Sequence, residues 1–311
     1  MKAFTLTLAL SAASLLLANS LTSDKSPEAN SKFTPQILKA TQNLVITEPS
    51  AQRKLLVFSQ TNGYSHKSIP TGKAAFSILG KETGAFETII SNDLSYFEPE
   101  NIAQFDAICF LNTTGEVFLP KKKRKKKGDT SVSPELTKEE ELKLQERSDR
   151  LKESLMMHIK SGKGFIGIHS ATDTFYKWPE YGEMIGAYFN GHPWTSKMDV
   201  SLKVSEAYVN DPLVAHLKGE NLEFKEEIYE FKEAEVGGNA EVLIKLDPEL
   251  NSFANAKRKD SKNVPISWTK MHGKGRVFYC SLGHNDEIFY NEKVLQHFLA
   301  GVQWAMGDLK K

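Results

Sequence analysis

The stretch that decides the fold is Gly162–Trp194, GKGFIGIHSATDTFYKWPEYGEMIGAYFNGHPW. Its apolar run Gly164-Phe165-Ile166-Gly167-Ile168 has no polar residue to mark a solvent face, which predicts a strand covered on both sides, in the middle of a parallel sheet. The run stops at His169-Ser170-Ala171-Thr172-Asp173, where small and polar residues crowd the strand's carboxyl end. Open α/β sheets hold their ligands at that rim. Gly167 and Ala171 leave little bulk around His169, as a sharp strand-to-turn elbow needs when one side chain is pushed into a cleft. Such elbows normally carry Ser or Cys, and here the residue is His.

Outward from this stretch, Lys54–Ser59 reads as the first core strand. It runs into Gln60–His66 and a helix with Ser68 as its N-cap and Pro70 in the first turn. Phe86–Ile90 and Phe105–Leu111 are the next strands. The second feeds Asn112-Thr113-Thr114-Gly115, whose hydroxyls and N–H groups can hold a ligand oxygen or simply close a turn. Thr137-Lys138-Glu139-Glu140 is a capping-box pattern opening a charged helix to about Lys160, with Leu144, Leu151, Leu155 and Ile159 on its packed side. Later segments alternate: Met198–Val204, Phe224–Phe231 and Glu241–Leu246 predict half-exposed strands added antiparallel beside the parallel sheet. Ile266–Met271 and Arg276–Ser281 form a hairpin through His272–Gly275, and Val294–Ala305 closes the domain as an amphipathic helix.

His66, His169 and His284 each follow a predicted core strand, and His192 sits in the turn Gly191-His192-Pro193. A lone histidine has many bland uses. Three at the same relative place in their strands converge on one sheet edge if those strands are parallel neighbours. Asp173, Tyr176, Trp178 and Tyr181 add carboxylate and aromatic groups, suited to the hydroxyls and apolar faces of sugar rings, although Trp178 and Tyr181 also suit a core.

The chain of 311 residues carries 40 basic and 39 acidic side chains. Its near-neutral balance points to neither a nucleic acid nor an acidic substrate. Residues 1–20 read as a cleaved export signal, with Lys2 before an apolar run and small residues at Ala18 and Ser20. The expectation is an exported, periplasmic or secreted protein with no stable membrane insertion once the signal is removed. Residues 21–51 read as a mobile spacer, in which Phe33–Leu44 can pack on the domain, and 52–308 as one domain. Lys121–Lys127 carries seven consecutive basic residues. No aromatic interleaves to stack on bases, so about 120–134 reads as a disordered basic insertion. Cys109 and Cys280 fall in core strands, where free thiols are expected.

Tyr64–Ile69 (YSHKSI), Asn112–Glu116 (NTTGE), Gly167–Asp173 (GIHSATD), Gly186–Pro193 (GAYFNGHP), and Gly275–Tyr279 (GRVFY) followed by Leu282-Gly283-His284 occur in that order. Together they closely resemble the ThuA-like (trehalose utilisation) family, over roughly Lys54 to Gly307. The resemblance implies a flavodoxin-like, class I glutamine amidotransferase-like fold: an α/β parallel sheet with helices on both faces and added antiparallel strands. The cysteine nucleophile of the amidotransferase relatives matches His169 here. Imidazole is a poor substitute as an acyl carrier, so a glutaminase is not expected. Phe224–Phe231 resembles the family's acidic-aromatic segment and adds Glu227 and Tyr229, unless these are only the outward face of an edge strand.

The expected function is acid/base chemistry on a glucoside or keto-glucoside, as a hydrolase, lyase or isomerase. His169 and His66 would transfer protons, with Asp173 as orienter or acid. Tyr176, His192, His284, Thr113, Thr114, Glu227, Tyr229 and Trp178 form the expected substrate-binding set. No cofactor is expected. A divalent metal on His66, His169, His192 and His284, with Asp173 or Glu227, ranks below proton transfer, because the spacing matches no compact metal motif. The alternatives are a non-catalytic sugar-binding protein and a metal-dependent hydrolase.

Overall fold

The computed structural model describes residues 31–121, 136–232, 236–257 and 263–311. The expected export signal and nearly all of the expected basic insertion lie outside these. In chain order the elements are α1 (Thr34–Ala40), β1 (Lys54–Phe58), α2 (Ile69–Thr83), β2 (Glu87–Ile90), the single turn α3 (Pro99–Ile102), β3 (Ala107–Leu111), α4 (Lys138–Lys160), β4 (Gly164–Ile168), α5 (Pro179–Ile185), β5 (Phe189–Trp194), β6 (Asp199–Val204), β7 (Leu222–Lys225), β8 (Ile228–Phe231), β9 (Glu241–Leu246), β10 (Pro265–His272), β11 (Gly275–Cys280) and α6 (Glu292–Met306).

Nine strands form one sheet in the order β2-β1-β3-β4-β11-β10-β9-β6-β7. The first five are parallel, and β10, β9, β6 and β7 follow antiparallel. The order β2-β1-β3-β4-β11 is that of a flavodoxin-like sheet, whose ligand crevice opens at the carboxyl ends of its strands. Strand β4 is buried along its whole length between β3 and β11, as its unbroken apolar run requires.

Alternate residues of the strands feed two cores. Leu55, Val57, Cys109, Ile166 and Phe278 pack beneath α2 and α6. Leu56, Phe58, Ile108, Phe165 and Val277 pack beneath α4 and α5. The α4 N-terminus shows the full reciprocal capping box between Thr137 and Glu140, and Leu151, Leu155 and Ile159 are buried beneath it. Both cysteines are buried and free. No helix among the described residues is long and apolar enough to cross a membrane.

Three local expectations change. From Ser31 onward the expected spacer is docked: Ile37 is fully buried, the Val45 N–H donates to Gln296 Oε1 (2.6 Å), and Ser50 and Arg53 bond Asp308. Glutamines and an aspartate on or just past α6 satisfy this extended backbone, which composition could not reveal. Ser68 begins α2 without a side-chain cap, because its hydroxyl donates instead to the Gly283 carbonyl (2.7 Å).

The third change matters most for the site. Phe224–Phe231 is two strands rather than one: β7 ends at Lys225 in the large sheet, and β8 starts at Ile228 in a separate ribbon with β5. The break falls at Glu226-Glu227, and both side chains are buried. Two adjacent carboxyls cannot both follow a strand's inward–outward alternation and both find donors inside the protein. The chain turns, and each reaches partners in the loop after β11.

Candidate functional site

The carboxyl ends of β1, β4 and β11 deliver His66, His169 and His284 to one place. The His66 and His169 rings lie 4.6 Å apart, those of His66 and His284 5.1 Å, and those of His169 and His284 5.5 Å. The loops carrying them are cross-tied. Asn112, just past β3, donates from its amide to the Gly283 carbonyl (2.9 Å) and to Ser68 Oγ (3.1 Å).

His169 sits at the elbow with φ of 49°, in the left-handed region that costs a non-glycine residue about 1–2 kcal/mol. The Tyr279 hydroxyl donates to its carbonyl (2.7 Å), and its ring Nδ1–H donates to the Ser281 carbonyl (2.7 Å). A Cβ at Gly283, whose φ is +137°, would lie 3.2 Å from the His169 Cβ. Glycine there allows the β11 loop to close on the imidazole.

Because a carbonyl only accepts, His169 Nδ1 carries the proton and Nε2 presents a lone pair to the side chains around it. That Nε2 lies 3.1 Å from His66 Nε2, 3.0 Å from the Tyr229 hydroxyl and 3.7 Å from Glu227 Oε1. Glu227 Oε1 is also 3.1 Å from His284 Nδ1, while Oε2 lies 3.4 Å from Nδ1 of the half-exposed His192. Ser170 Oγ stands 3.3 Å from His66 Nδ1. Tyr64, 59% exposed, packs edge-on against the His66 ring at 4.7 Å.

Burial, reinforced by the imidazoles of His284 and His192, holds His66 down at about 3. Burial and His66 likewise push His169 well below the ordinary range, against the pull of the Ser281 carbonyl. Burial drives the Tyr229 phenol well above its usual value, so the hydroxyl keeps its proton. These neutral groups can accept, donate or ligate.

The structure brings His66, His169, His284, Glu227 and Tyr229 together, with His192 at the rim. It places the other expected residues elsewhere. The orienting contact expected of Asp173 is made by the Ser281 carbonyl. Asp173 instead accepts from the Tyr176 hydroxyl (2.6 Å), and burial raises its carboxyl despite that bond. The Asp173–Tyr176 pair adjoins the cluster through Phe189, whose carbonyl lies 3.3 Å from the Tyr176 hydroxyl and whose ring packs on Tyr229 at 4.4 Å. Thr113 and Thr114 are fully buried in the turn. Thr113 pairs with Thr174 (2.9 Å), and Thr114 donates to the Tyr64 carbonyl (2.8 Å) while accepting from the Gly63 N–H. Their hydroxyls stabilise loops rather than face the cleft. Trp178 packs on Phe175 and Tyr181, with Lys152 of α4 over its ring, on the α4 and α5 face of the sheet.

Glu226 was missed by sequence reasoning. It is fully buried and accepts from the backbone N–H groups of Gly283 (3.1 Å), His284 (2.6 Å) and Asn285 (3.0 Å). Burial pushes its carboxyl up to about 8 against these three donors. The only signal was two consecutive glutamates inside an alternating strand pattern. Glu226→Gln turns one acceptor oxygen into a donor facing an N–H, at an expected cost of about 1–3 kcal/mol. Urea unfolding measures it; an unchanged midpoint would show that this clamp does not hold the His284 loop.

The family model described as ThuA, Trehalose utilisation, matches residues 54–128 and 142–305. Among solved structures, a ThuA-like protein from Bacteroides uniformis is similar at 18% identity and a TM-score of 0.56, over 81% of this chain and 93% of its own. A ThuA-like protein from Parabacteroides merdae is similar at 15% identity and a TM-score of 0.53, over 83% of this chain and 91% of its own. At these identities the two structures speak for the fold alone. No curated protein matches the chain.

Proposed function

Because the chain belongs to the ThuA, or trehalose utilisation, family, we propose that it is an enzyme of carbohydrate catabolism that moves protons to and from the hydroxyl or carbonyl groups of a glucoside or keto-glucoside. We place that activity outside the cytoplasm, on the strength of the amino-terminal signal pattern. The observation that carries the reading is the meeting of His66, His169, His284, Glu227 and Tyr229 at the sheet's carboxyl rim.

In this reading His169 Nε2 accepts a proton from a sugar hydroxyl, since its other nitrogen is already committed to Ser281. The Tyr229 hydroxyl, 3.0 Å from the same nitrogen, supplies a proton to a developing oxyanion. Half-exposed His192 and the exposed Tyr64 ring flank the mouth, where one offers a polar contact and the other an apolar face for a pyranose ring.

The test is turnover by the purified full-length chain against a panel of α- and β-glucosides, disaccharides and their keto derivatives, with products followed by chromatography and mass spectrometry. The expected result is conversion of at least one member of the panel. Tight calorimetric binding of a sugar that is recovered unchanged after long incubation would replace the enzyme with a sugar-binding protein. Neither binding nor conversion anywhere in the panel would remove carbohydrate from the reading.

A further inference from the structure

We propose that His66, His169, His284 and Glu227 are the ligands of one divalent transition-metal ion. Each offers one ligand atom, and the four atoms all lie within 4.8 Å of one another. Ligands on a tetrahedral or octahedral ion with metal–nitrogen bonds of about 2.0–2.1 Å sit roughly 3–3.5 Å apart at adjacent positions and about 4.2 Å apart across the ion. The Nε2–Nε2 distance of 3.1 Å between His66 and His169, the Nδ1–Oε1 distance of 3.1 Å between His284 and Glu227, and the 3.7 Å from His169 Nε2 to Glu227 Oε1 fall within that span or close to it.

Hydrogen bonding alone satisfies this cluster poorly. The single lone pair of His169 Nε2 faces both the Tyr229 hydroxyl at 3.0 Å and His66 Nε2 at 3.1 Å, so it would serve two donors at once. A cation removes the conflict. His66 turns its own lone pair inward and gives its Nδ1–H to Ser170 Oγ, just as His169 gives its Nδ1–H to the Ser281 carbonyl. Each imidazole then has the outer partner that fixes the tautomer of a metal-ligating histidine. Glu226 supports the third ligand by holding the His284 loop through its backbone.

Three nitrogens and one carboxylate oxygen suit zinc, manganese, iron or cobalt in the divalent state better than magnesium or calcium, which prefer oxygen. Of His192 and Glu227, both candidate ligands on sequence alone, it is Glu227 that lies among the three imidazoles. His192 Nδ1 lies 3.4 Å from the second Glu227 oxygen. An ion there takes the His169 Nε2 lone pair that the proposed function gives to a proton, so in the loaded protein His169 would hold the ion, and positions left open on the ion would bind and polarise a hydroxyl or carbonyl oxygen. That use rests on the carbohydrate reading, whereas metal binding does not.

The test uses full-length protein carrying no polyhistidine tag, stripped with chelator and titrated with Zn²⁺ by calorimetry, with Co²⁺ ligand-field absorption as an independent readout. Wild type is expected to take up one ion per chain. Glu227→Gln and His284→Ala should bind at least about 100-fold more weakly, since even outer partners of metal ligands are worth 10–100-fold. His192→Ala should keep the stoichiometry of one. Circular dichroism confirms that each variant is folded.

Absence of stoichiometric uptake, or uptake unaffected by Glu227→Gln and His284→Ala, overturns the site. Loss of uptake in His192→Ala overturns the ligand set. A metal-loaded protein that converts no sugar leaves the site standing and removes the function proposed above. A fully stripped protein that still converts sugar at the full rate leaves the function standing and overturns the ion's part in the chemistry.

Discussion

His169→Ala lowers turnover of whichever glucoside the wild type converts by about 10²–10⁴-fold, the range lost with a positioned acid/base group. The imidazole is fully buried, and its Nε2 stands within hydrogen-bond reach of both His66 and Tyr229. The substitution also removes the bond to Ser281 and leaves alanine at φ of 49°, so part of a loss in activity could come from a loosened elbow. His169→Asn separates the two effects. Asparagine tolerates the left-handed region and keeps a polar side chain, but lacks an imidazole. If both variants fold and both lose turnover, the chemistry needs the ring. If His169→Asn turns over at the wild-type rate, the elbow's shape is what matters, and the proton-transfer role assigned to His169 is wrong.

Trp268→Ala is expected to cost about 3–5 kcal/mol, the usual price of emptying a large aromatic site. Folded domains hold only about 5–15 kcal/mol in total, so this variant should unfold at markedly lower urea. Trp268 lies on β10, fully buried, with its ring 4.2 Å from Tyr279 and its indole N–H bonded to the Ile185 carbonyl at 2.9 Å. It therefore joins α5 to the sheet directly behind the tyrosine whose hydroxyl holds the His169 carbonyl. Trp268→Phe fills most of the space and loses only the N–H bond and the outer ring, so its midpoint should fall between those of wild type and Trp268→Ala. Equal midpoints for Trp268→Ala and wild type would mean that this side of the sheet does not carry the fold's stability.

Much of this was legible in the residues because it depended on local periodicity. The unbroken apolar run of β4 marked a central parallel strand. The capping box at Thr137 marked the start of α4, and the alternation of β6 and β9 marked the antiparallel extension. The recurrence of histidine just after β1, β4 and β11 also pointed to one rim, because parallel neighbours end at the same edge. Thr113, Thr114 and Trp178 were misplaced for a common reason. Their types suit both a ligand and a loop or core, and only their neighbours decide which. Packing of Phe33–Leu44 was open to the sequence, but the tie of Val45–Arg53 to α6 and the segment after it was hidden, because its partners sit some 250 residues later in the chain.

Spacing of two or 3.6 residues fixes which side of an element a residue occupies, so the layer architecture, the strand ends at the site and the identity of the histidines there could be read from the chain alone. Packing of the folded domain set the rest: that Glu227, one of two carboxylates the chain offered, stands among those histidines while His192 stays at the rim, that a carbonyl rather than Asp173 orients His169, and that Glu226 clamps the loop behind His284. These choices depend on where a strand breaks and which distant backbone group meets a side chain. Such long-range pairings are settled by the packing of the whole domain and leave no periodic trace in the chain.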